Sequence, residues 1–442
     1  MAETRQVSRV RTTLRALRHR NFQLFFAGQL ISLIGTWMQN VAQSWLVYRL
    51  TGSSTLLGAV GFSGQIPVFL FSPIGGLIAD RYHRHRIVIA TQISAMILAS
   101  ILAALTLTGR VQVWHIFVLS ALLGVVNAFD IPARQSFLFE MVGREDLINA
   151  IALNSSMFNG ARIIGPAVAG ILVAAIGEGW CFFANAVSYI AVIIGLLLMT
   201  ITPPARPRQK GSAVRHIAEG FRFATHTGPI RALLLLLGLV SVTGMPYAVL
   251  MPVFADQIFH SGARGLGILM GFSGIGALLG ALTLAARRGL QGLGRWVAVS
   301  CGVFGACLIA FAFSRSFWIA AAALIPVGFA MMTQMGASNT LIQTMTPDHL
   351  RGRVMSVYSM MFMGMAPLGA LLAGVAAERF GAPFTVAAGG VIAIAGAIAF
   401  GVRLPGLRPE ARQLILAQQM VGGDPAEEVT AHGEPPQNLL KQ

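Results

Sequence analysis

Charge is what this chain has least of. Only 11% of its 442 residues are Asp, Glu, Lys or Arg, less than half the share usual in soluble domains. Acid is scarcer still, at 16 residues against 32 basic ones. Cysteine is limited to Cys181, Cys301 and Cys307, an odd number without metal-ligand spacing, so neither a disulfide framework nor a metal site is implied. These shortages exclude a soluble globular enzyme, a disordered chain and a fibrous repeat. What the chain has instead is apolar length. Hydrophobic residues make up 55%, mean hydropathy is +0.70, and 49 glycines supply the small-residue surplus of closely packed membrane helices.

Stretches long enough to cross a bilayer number twelve. They run near 22–48, 54–79, 87–108, 113–131, 150–176 and 180–201, then near 230–255, 264–286, 296–313, 317–342, 353–377 and 383–402. The expected fold is an all-α membrane protein with twelve helices in two pseudo-symmetric bundles of six. Residues 1–201 form the first bundle with its basic leader, 202–229 a cytoplasmic linker, 230–403 the second bundle, and 404–442 a disordered tail.

The basic residues test this layout independently. With the N-terminus in the cytoplasm, twenty-six of the 32 fall on inside segments and five on outside loops, and Arg162 lies within a span. That asymmetry is the positive-inside signature. It predicts a multi-pass protein of the bacterial inner membrane with both termini cytoplasmic, and it assigns the basicity to topology rather than to nucleic acid. Within the linker, Val214, Ile217, Phe221 and Ala224 recur at helical spacing among charged residues, predicting an amphipathic helix on the cytoplasmic surface.

The two halves resemble each other. Span five carries Gly165-Pro166-Ala167-Val168-Ala169-Gly170, and span eleven carries Ala366-Pro367-Leu368-Gly369, each after a short basic and acidic loop. Six-plus-six repeats are a common build for secondary transporters, whose substrate site lies where the halves meet near the bilayer midplane.

Arg162 lies about 18 Å into its span, near mid-bilayer. An arginine there costs about 2.5–3.5 kcal/mol on insertion scales, so it must face the bundle interior. No Asp or Glu lies at matching depth. Its partners are either neighbouring helices, as a structural arginine, or an anionic substrate group. Asn159 and Asn154 extend its polar surface. In span one, Thr36, Gln39, Asn40 and Gln43 lie largely on one stripe, which is expected to line a cavity, the alternative being hydrogen bonding between helices alone; Gln334 and Asn339 of span ten are placed opposite. A methionine cluster at Met331, Met332, Met335, Met355, Met360, Met361, Met363 and Met365 favours a pliable, partly apolar pocket.

The loop between spans two and three reads Gly75-Gly76-Leu77-Ile78-Ala79-Asp80-Arg81-Tyr82-His83-Arg84-His85-Arg86. Asp80 sits at a helix C-terminus, where the macrodipole disfavours an anion, so it needs a compensating partner. This segment resembles the signature loop of the major facilitator superfamily, with His83 for the usual glycine and His85 for an arginine. Further residues resemble the drug–proton antiporter branch that includes the enterobactin exporter and macrolide efflux proteins, of transmembrane secretion effector type. They are Arg20-Asn21-Phe22, Gly35-Thr36-Trp37-Met38-Gln39, Asp130-Ile131-Pro132-Ala133-Arg134-Gln135 and Arg351-Gly352-Arg353-Val354.

The resemblance covers about residues 15–405 and implies export from the cytoplasm driven by protons. It also likens Gly165, Pro166 and Gly170 to an antiporter motif. Asp130, placed at the inner end of span four, is expected to join Arg134, Asp80, Arg81 and Arg84 in a charge network that holds the inner gate shut.

The expected function is therefore efflux of a small, partly apolar molecule (a drug, siderophore or secondary metabolite) by a monomeric carrier without cofactor or metal. A lysophospholipid carrier of the same fold is the alternative, and movement of labelled lipid in proteoliposomes separates the two. The spans hold no nucleophile–base pair, metal cluster or paired carboxylates, so an intramembrane enzyme is not expected. For the proton, the sequence offers Asp80, Asp130 and Asp256 at span edges, or the substrate's own charge.

Overall fold

The computed structural model describes residues 15–143, 145–200, 213–287 and 289–421; for a few helix residues, Asp80 among them, it describes the backbone alone. The leader before Arg15, the Pro-rich stretch 203–207 and the acidic tail after Val421 lie outside the described residues. The first half comprises α1 (Arg20–Thr51), α2 (Ser54–Arg81), α3 (Arg84–Leu107), α4 (Val113–Val142), α5 (Leu147–Ile176) and α6 (Glu178–Leu197). The linker helix α7 (Ala213–His226) leads into α8 (Gly228–Thr243), which continues through short turns to Ile258. Then come α9 (Gly262–Ala286), α10 (Leu293–Ala312), α11 (Phe317–Met345), α12 (Asp348–Ser359), a π turn at Met360–Gly364, α13 (Met365–Phe380) and α14 (Ala382–Val421).

Among the described residues, eleven candidate spans are long and apolar enough to cross a membrane. Helix α1 is the twelfth in the layout and has the length, at 32 residues, but polar side chains dilute it. Gln29, Ser32 and Gln39 among them are buried against protein, the only place a membrane helix can hold such groups without loss.

The packing repeats six spans later. In the first half α1 lies on α6 and α5, α3 on α6 and α4, and α2 on α4. In the second half α8 lies on α14 and α13, α10 on α14 and α11, and α9 on α11. The halves meet through two equivalent pairs, α5 with α9 and α2 with α13. This is the two-bundle architecture that the repeat implied.

Two differences from the sequence reading have plain physical reasons. Helix α14 runs on to Val421 through Pro405 and Pro409, where disorder was expected from residue 404. Leu404, Leu407, Ala411, Leu414 and Ile415 form an apolar stripe packed on the core, and Glu410 accepts a hydrogen bond from the Gly228 amide at 3.1 Å. The second difference is in α4, which extends to Val142 instead of ending near residue 131. Phe137, Leu138, Met141 and Val142 are all buried, so the helix keeps an apolar face beyond Pro132.

Short segments brace each bundle at the end that carries the termini. Before α1, Arg15 and His19 both reach Asp146, at 2.8 Å each, at the start of α5. Before α8, Glu219 of α7 is paired with Arg353 of α12, and Gly220 packs on the Arg353 backbone. The linker helix thus docks on the second bundle through its buried Ala224, leaving Phe221 exposed.

Candidate functional site

The inner-end charges form two groups. Arg84, at the start of α3, donates to Glu140 of α4 at 3.1 Å and to the carbonyls of Ser136 and Ala79 at 3.3 and 3.2 Å. Arg134 instead pairs with Asp130 one turn before it, at 3.3 Å. Asp130 also accepts from Thr91 Oγ1 at 2.9 Å and Gln92 Nε2 at 3.0 Å. Because α4 runs to Val142, Asp130 lies about 18 Å inside the helix rather than at its end. It is a buried carboxylate within the helix. Arg81 is exposed, and the Asp80 side chain lies outside the described residues. Glu140 carried no role in the sequence reading, although its placement ten residues beyond Asp130 was a signal that the helix continued.

The residues of the span-five motif explain how α5 is held. A Cβ on Gly165 would lie 2.5 Å from the Trp37 Cβ of α1, and one on Gly170 would lie 3.0 Å from the Gly267 Cα of α9. Gly165 therefore faces its own bundle and Gly170 faces the other. A Cβ on Gly267 would in turn lie 2.5 Å from the Pro166 carbonyl oxygen. The motif is a two-sided small-residue seam that sets α5 tightly between α1 and α9.

That seam presents Arg162 less than one turn away. Its guanidinium carbon lies 5.8 Å from the centroid of the Trp37 ring. It is also within electrostatic reach of Tyr247 from the second half, whose hydroxyl lies 2.8 Å from Ser273 Oγ of α9. Arg162, Trp37, Tyr247 and Ser273 thus bring α1, α5, α8 and α9 together at one level. Nothing in the sequence marks the last two, because an aromatic or a serine within an apolar span is ordinary until its neighbour across the seam is known.

The α1 stripe divides between bracing and lining. Gln39 accepts from Asn185 Nδ2 of α6 at 2.7 Å, and Gln43 donates to Ser120 Oγ of α4 at 2.8 Å. Both amides tie the first bundle together. Thr36 is half-buried and donates to its own helix at Ser32 O. Asn40 is exposed one turn after Trp37, and an exposed amide at that depth belongs to a water-filled cavity rather than to lipid. On α5, Asn159 is buried and donates to Ser155 O, while Asn154 is half-buried. On α11, Asn339 accepts from Gln343 Nε2 at 2.6 Å. Gln334 is fully buried, and neither atom of its amide has a protein partner among the described residues.

The methionines sit beside an irregular helix. Met360–Gly364 forms a π turn between α12 and α13, a feature that recurs at functional sites. Met360 and Met363 are exposed and Met335 and Met361 half-buried, whereas Met331 is packed in the core.

The seam is shut at one end only. Close approaches between the halves run from Ser54 and Gly374 through Gly58 and Ala370 to Phe69 and Gly364. On the other side they run from Gly170 and Gly267 to Arg162 and Gly274. Glu378 of α13 adds a polar clasp, accepting from Ser53 Oγ at 3.1 Å and the Thr55 amide at 3.2 Å at the start of α2. Toward the termini α12 packs on α7. The exposed Leu70, Phe71, Ile74 and Leu77 follow beyond Phe69 on α2. The space between the bundles is therefore closed at the far end and opens toward the end that carries the termini, with Arg162 at its inner limit.

A twelve-span, two-bundle chain enclosing a one-sided central cavity is a secondary carrier of the major-facilitator type. Residues 11–430 match the model of the transmembrane secretion effector family, and the chain belongs to that family, whose members are transporters and not enzymes. The staphyloferrin A transporter of Staphylococcus aureus is 27% identical, covering 81% of this chain and 89% of that protein. The multidrug efflux pump Tap of Mycolicibacterium fortuitum is 27% identical, covering 78% and 87%. The enterobactin exporter EntS of Shigella boydii is 26% identical, covering 80% and 85%. Among solved structures, a bacterial homolog of the human lysosomal transporter Spinster, inward-facing and unoccupied, shares the fold. It is 14% identical, covers 90% of this chain and 98% of that one, and has a TM-score of 0.66. The chain is thus a multi-pass protein of the bacterial inner membrane.

Proposed function

We propose that this protein exports a small, partly apolar molecule from the cytoplasm by alternating access, exchanging it for protons, and acts as a monomer with both termini cytosolic. The observation that carries this reading is the way the bundles meet, closed at the far end by paired small residues, with the partly covered Arg162 and the exposed Asn40 where those contacts stop. The positive-inside distribution supports the cytoplasmic placement of both termini. The relatives' names, which specify staphyloferrin A, multiple drugs and enterobactin, support small molecules as cargo. Rocking of one bundle against the other about Arg162 would open the far end and shut the near one.

Asp130 is the carboxylate best placed for the proton. It is buried within a span, its charged form is held by Thr91, Gln92 and Arg134, and protonation would release Arg134. Substrate would bind around Arg162, Asn40, Thr36, Asn154, Asn159, Gln334 and Asn339, with Gln39 and Gln43 holding α1 in place. Asp80, Arg81 and Arg84 would steady the inner gate.

The test is a panel of drugs and siderophores applied to a strain lacking the protein and to the same strain carrying the wild type or Arg162→Ala. Restored tolerance with the wild type but not the variant is the expected result. Identical growth of all strains on every compound would contradict export.

A further inference from the structure

Among the described residues Arg162 is the charge at the inner limit of the cavity, and its surroundings leave it unmatched. A guanidinium carries five N–H donors. Among the described residues no hydrogen bond and no ion pair reaches those of Arg162; it lies over the Trp37 ring, with Tyr247 of the second half within electrostatic reach. A structural arginine would spend its donors on carbonyls or carboxylates of adjacent helices. Most acids of the described spans have other partners, and Asp256 is exposed near the far end of its span. Asp130 is held by Thr91, Gln92 and Arg134, Glu140 by Arg84, Glu178 by Arg49, and Glu378 by the start of α2. The arginine is nonetheless only partly covered, so it is accessible from the cavity.

We infer that the cargo is an anionic amphiphile: a carboxylate, sulfonate or similar planar anion on an aromatic or otherwise apolar body. The inference rests on the export reading and names the substrate class of that same site. The anion would pair with the fork of Arg162, a geometry that suits carboxylate and sulfonate oxygens. The apolar body would lie against Trp37 and the adaptable side chains of Met335, Met361 and Met363. Tyr247 lies on the opposite bundle, so a bound anion within reach of its hydroxyl would touch both halves. The same charge disfavours cations, which gives the site a repulsive element against lipophilic cationic compounds.

The experiment uses the full-length protein in nanodiscs and three fluorescent probes, with empty nanodiscs subtracted. The probes are 8-anilinonaphthalene-1-sulfonate, its uncharged counterpart N-phenyl-1-naphthylamine, and the cation ethidium. The wild type is expected to bind the sulfonate at least tenfold more tightly than the uncharged probe, and ethidium most weakly. Arg162→Met is expected to lose at least tenfold in sulfonate affinity while binding the uncharged probe within twofold of the wild type, and Arg162→Lys to fall between.

Equal affinity of the wild type for the sulfonate and the uncharged probe, or preference for ethidium, would overturn the inference. That comparison needs no variant and survives a folding defect in Arg162→Met. The two readings fail separately. Export of ethidium or N-phenyl-1-naphthylamine from proteoliposomes, equally by wild type and Arg162→Met, leaves the carrier standing and removes the anion. Specific sulfonate binding through Arg162, with no compound moved across the membrane, would sink export instead.

Discussion

Arg162 of α5 and Trp37 of α1 stack with the guanidinium carbon 5.8 Å from the ring centroid, and Gly165 makes the approach of the two helices possible. A cation–π contact of this kind contributes about 0.5–2 kcal/mol. Trp37→Leu is therefore expected to weaken sulfonate-probe binding by roughly two- to thirtyfold in the nanodisc titration, whereas Trp37→Phe keeps most of it. Unchanged binding by Trp37→Leu would show that the ring does not position the arginine.

Gly165→Val tests the seam itself. The added side chain starts 2.5 Å from the Trp37 Cβ, with the Ile34 carbonyl oxygen at 2.9 Å, so neither neighbour can yield without moving α1. The expected outcome is a lower melting temperature in detergent and loss of transport, with Gly160→Val as the control because a Cβ there meets nothing within 4 Å.

Asp130→Asn separates coupling from movement. If the carboxylate carries the proton, the variant exchanges substrate down its gradient at near wild-type rates but no longer accumulates it against one when a pH gradient is imposed. Proteoliposomes with and without that gradient give the comparison. Full uphill transport by the variant would move the proton site elsewhere.

At the far end, Glu178 is buried and holds Arg49 through two hydrogen bonds of 2.7 and 3.1 Å, joining α6 to α1. Arg49 is half exposed, so solvent screening reduces the value of the pair. Arg49→Ala is expected to destabilise the first bundle by about 1–3 kcal/mol, visible as a lower midpoint in thermal unfolding, because it leaves the buried Glu178 carboxylate unmet. Glu178→Ala, which leaves a half-exposed guanidinium to water, is expected to cost less than about 1 kcal/mol.

Most of the fold was legible in the sequence, because lipid forces each crossing to be a long apolar helix and leaves the basic residues in the loops. The site was legible in part. Arg162 stood out as a charge at mid-span, and the glycines of α5 as a packing motif. The continuation of α4 beyond Asp130 was hidden because Arg134 and Glu140 interrupt the apolar run, although Phe137 and Met141 continue its buried face. The extension of α14 was hidden by Pro405 and Pro409, although Leu404, Leu407 and Leu414 kept the helical spacing. Tyr247 and Ser273 could not be read at all, since their role depends on which helices face each other across the seam.

A reversible lock on the far end tests alternating access most directly. Gly61→Cys with Ala370→Cys, in a cysteine-free background, would place two thiols where α2 and α13 touch, since a Cβ at residue 61 lies 3.6 Å from the Ala370 Cβ, the spacing a disulfide needs. The measurement is transport by proteoliposomes of whichever probe the wild type moves fastest, before oxidation, after it, and after reduction. Transport that stops when the bond forms and returns with reductant is the expected result. Undiminished transport by fully cross-linked protein would contradict a carrier that must part its two bundles at that end.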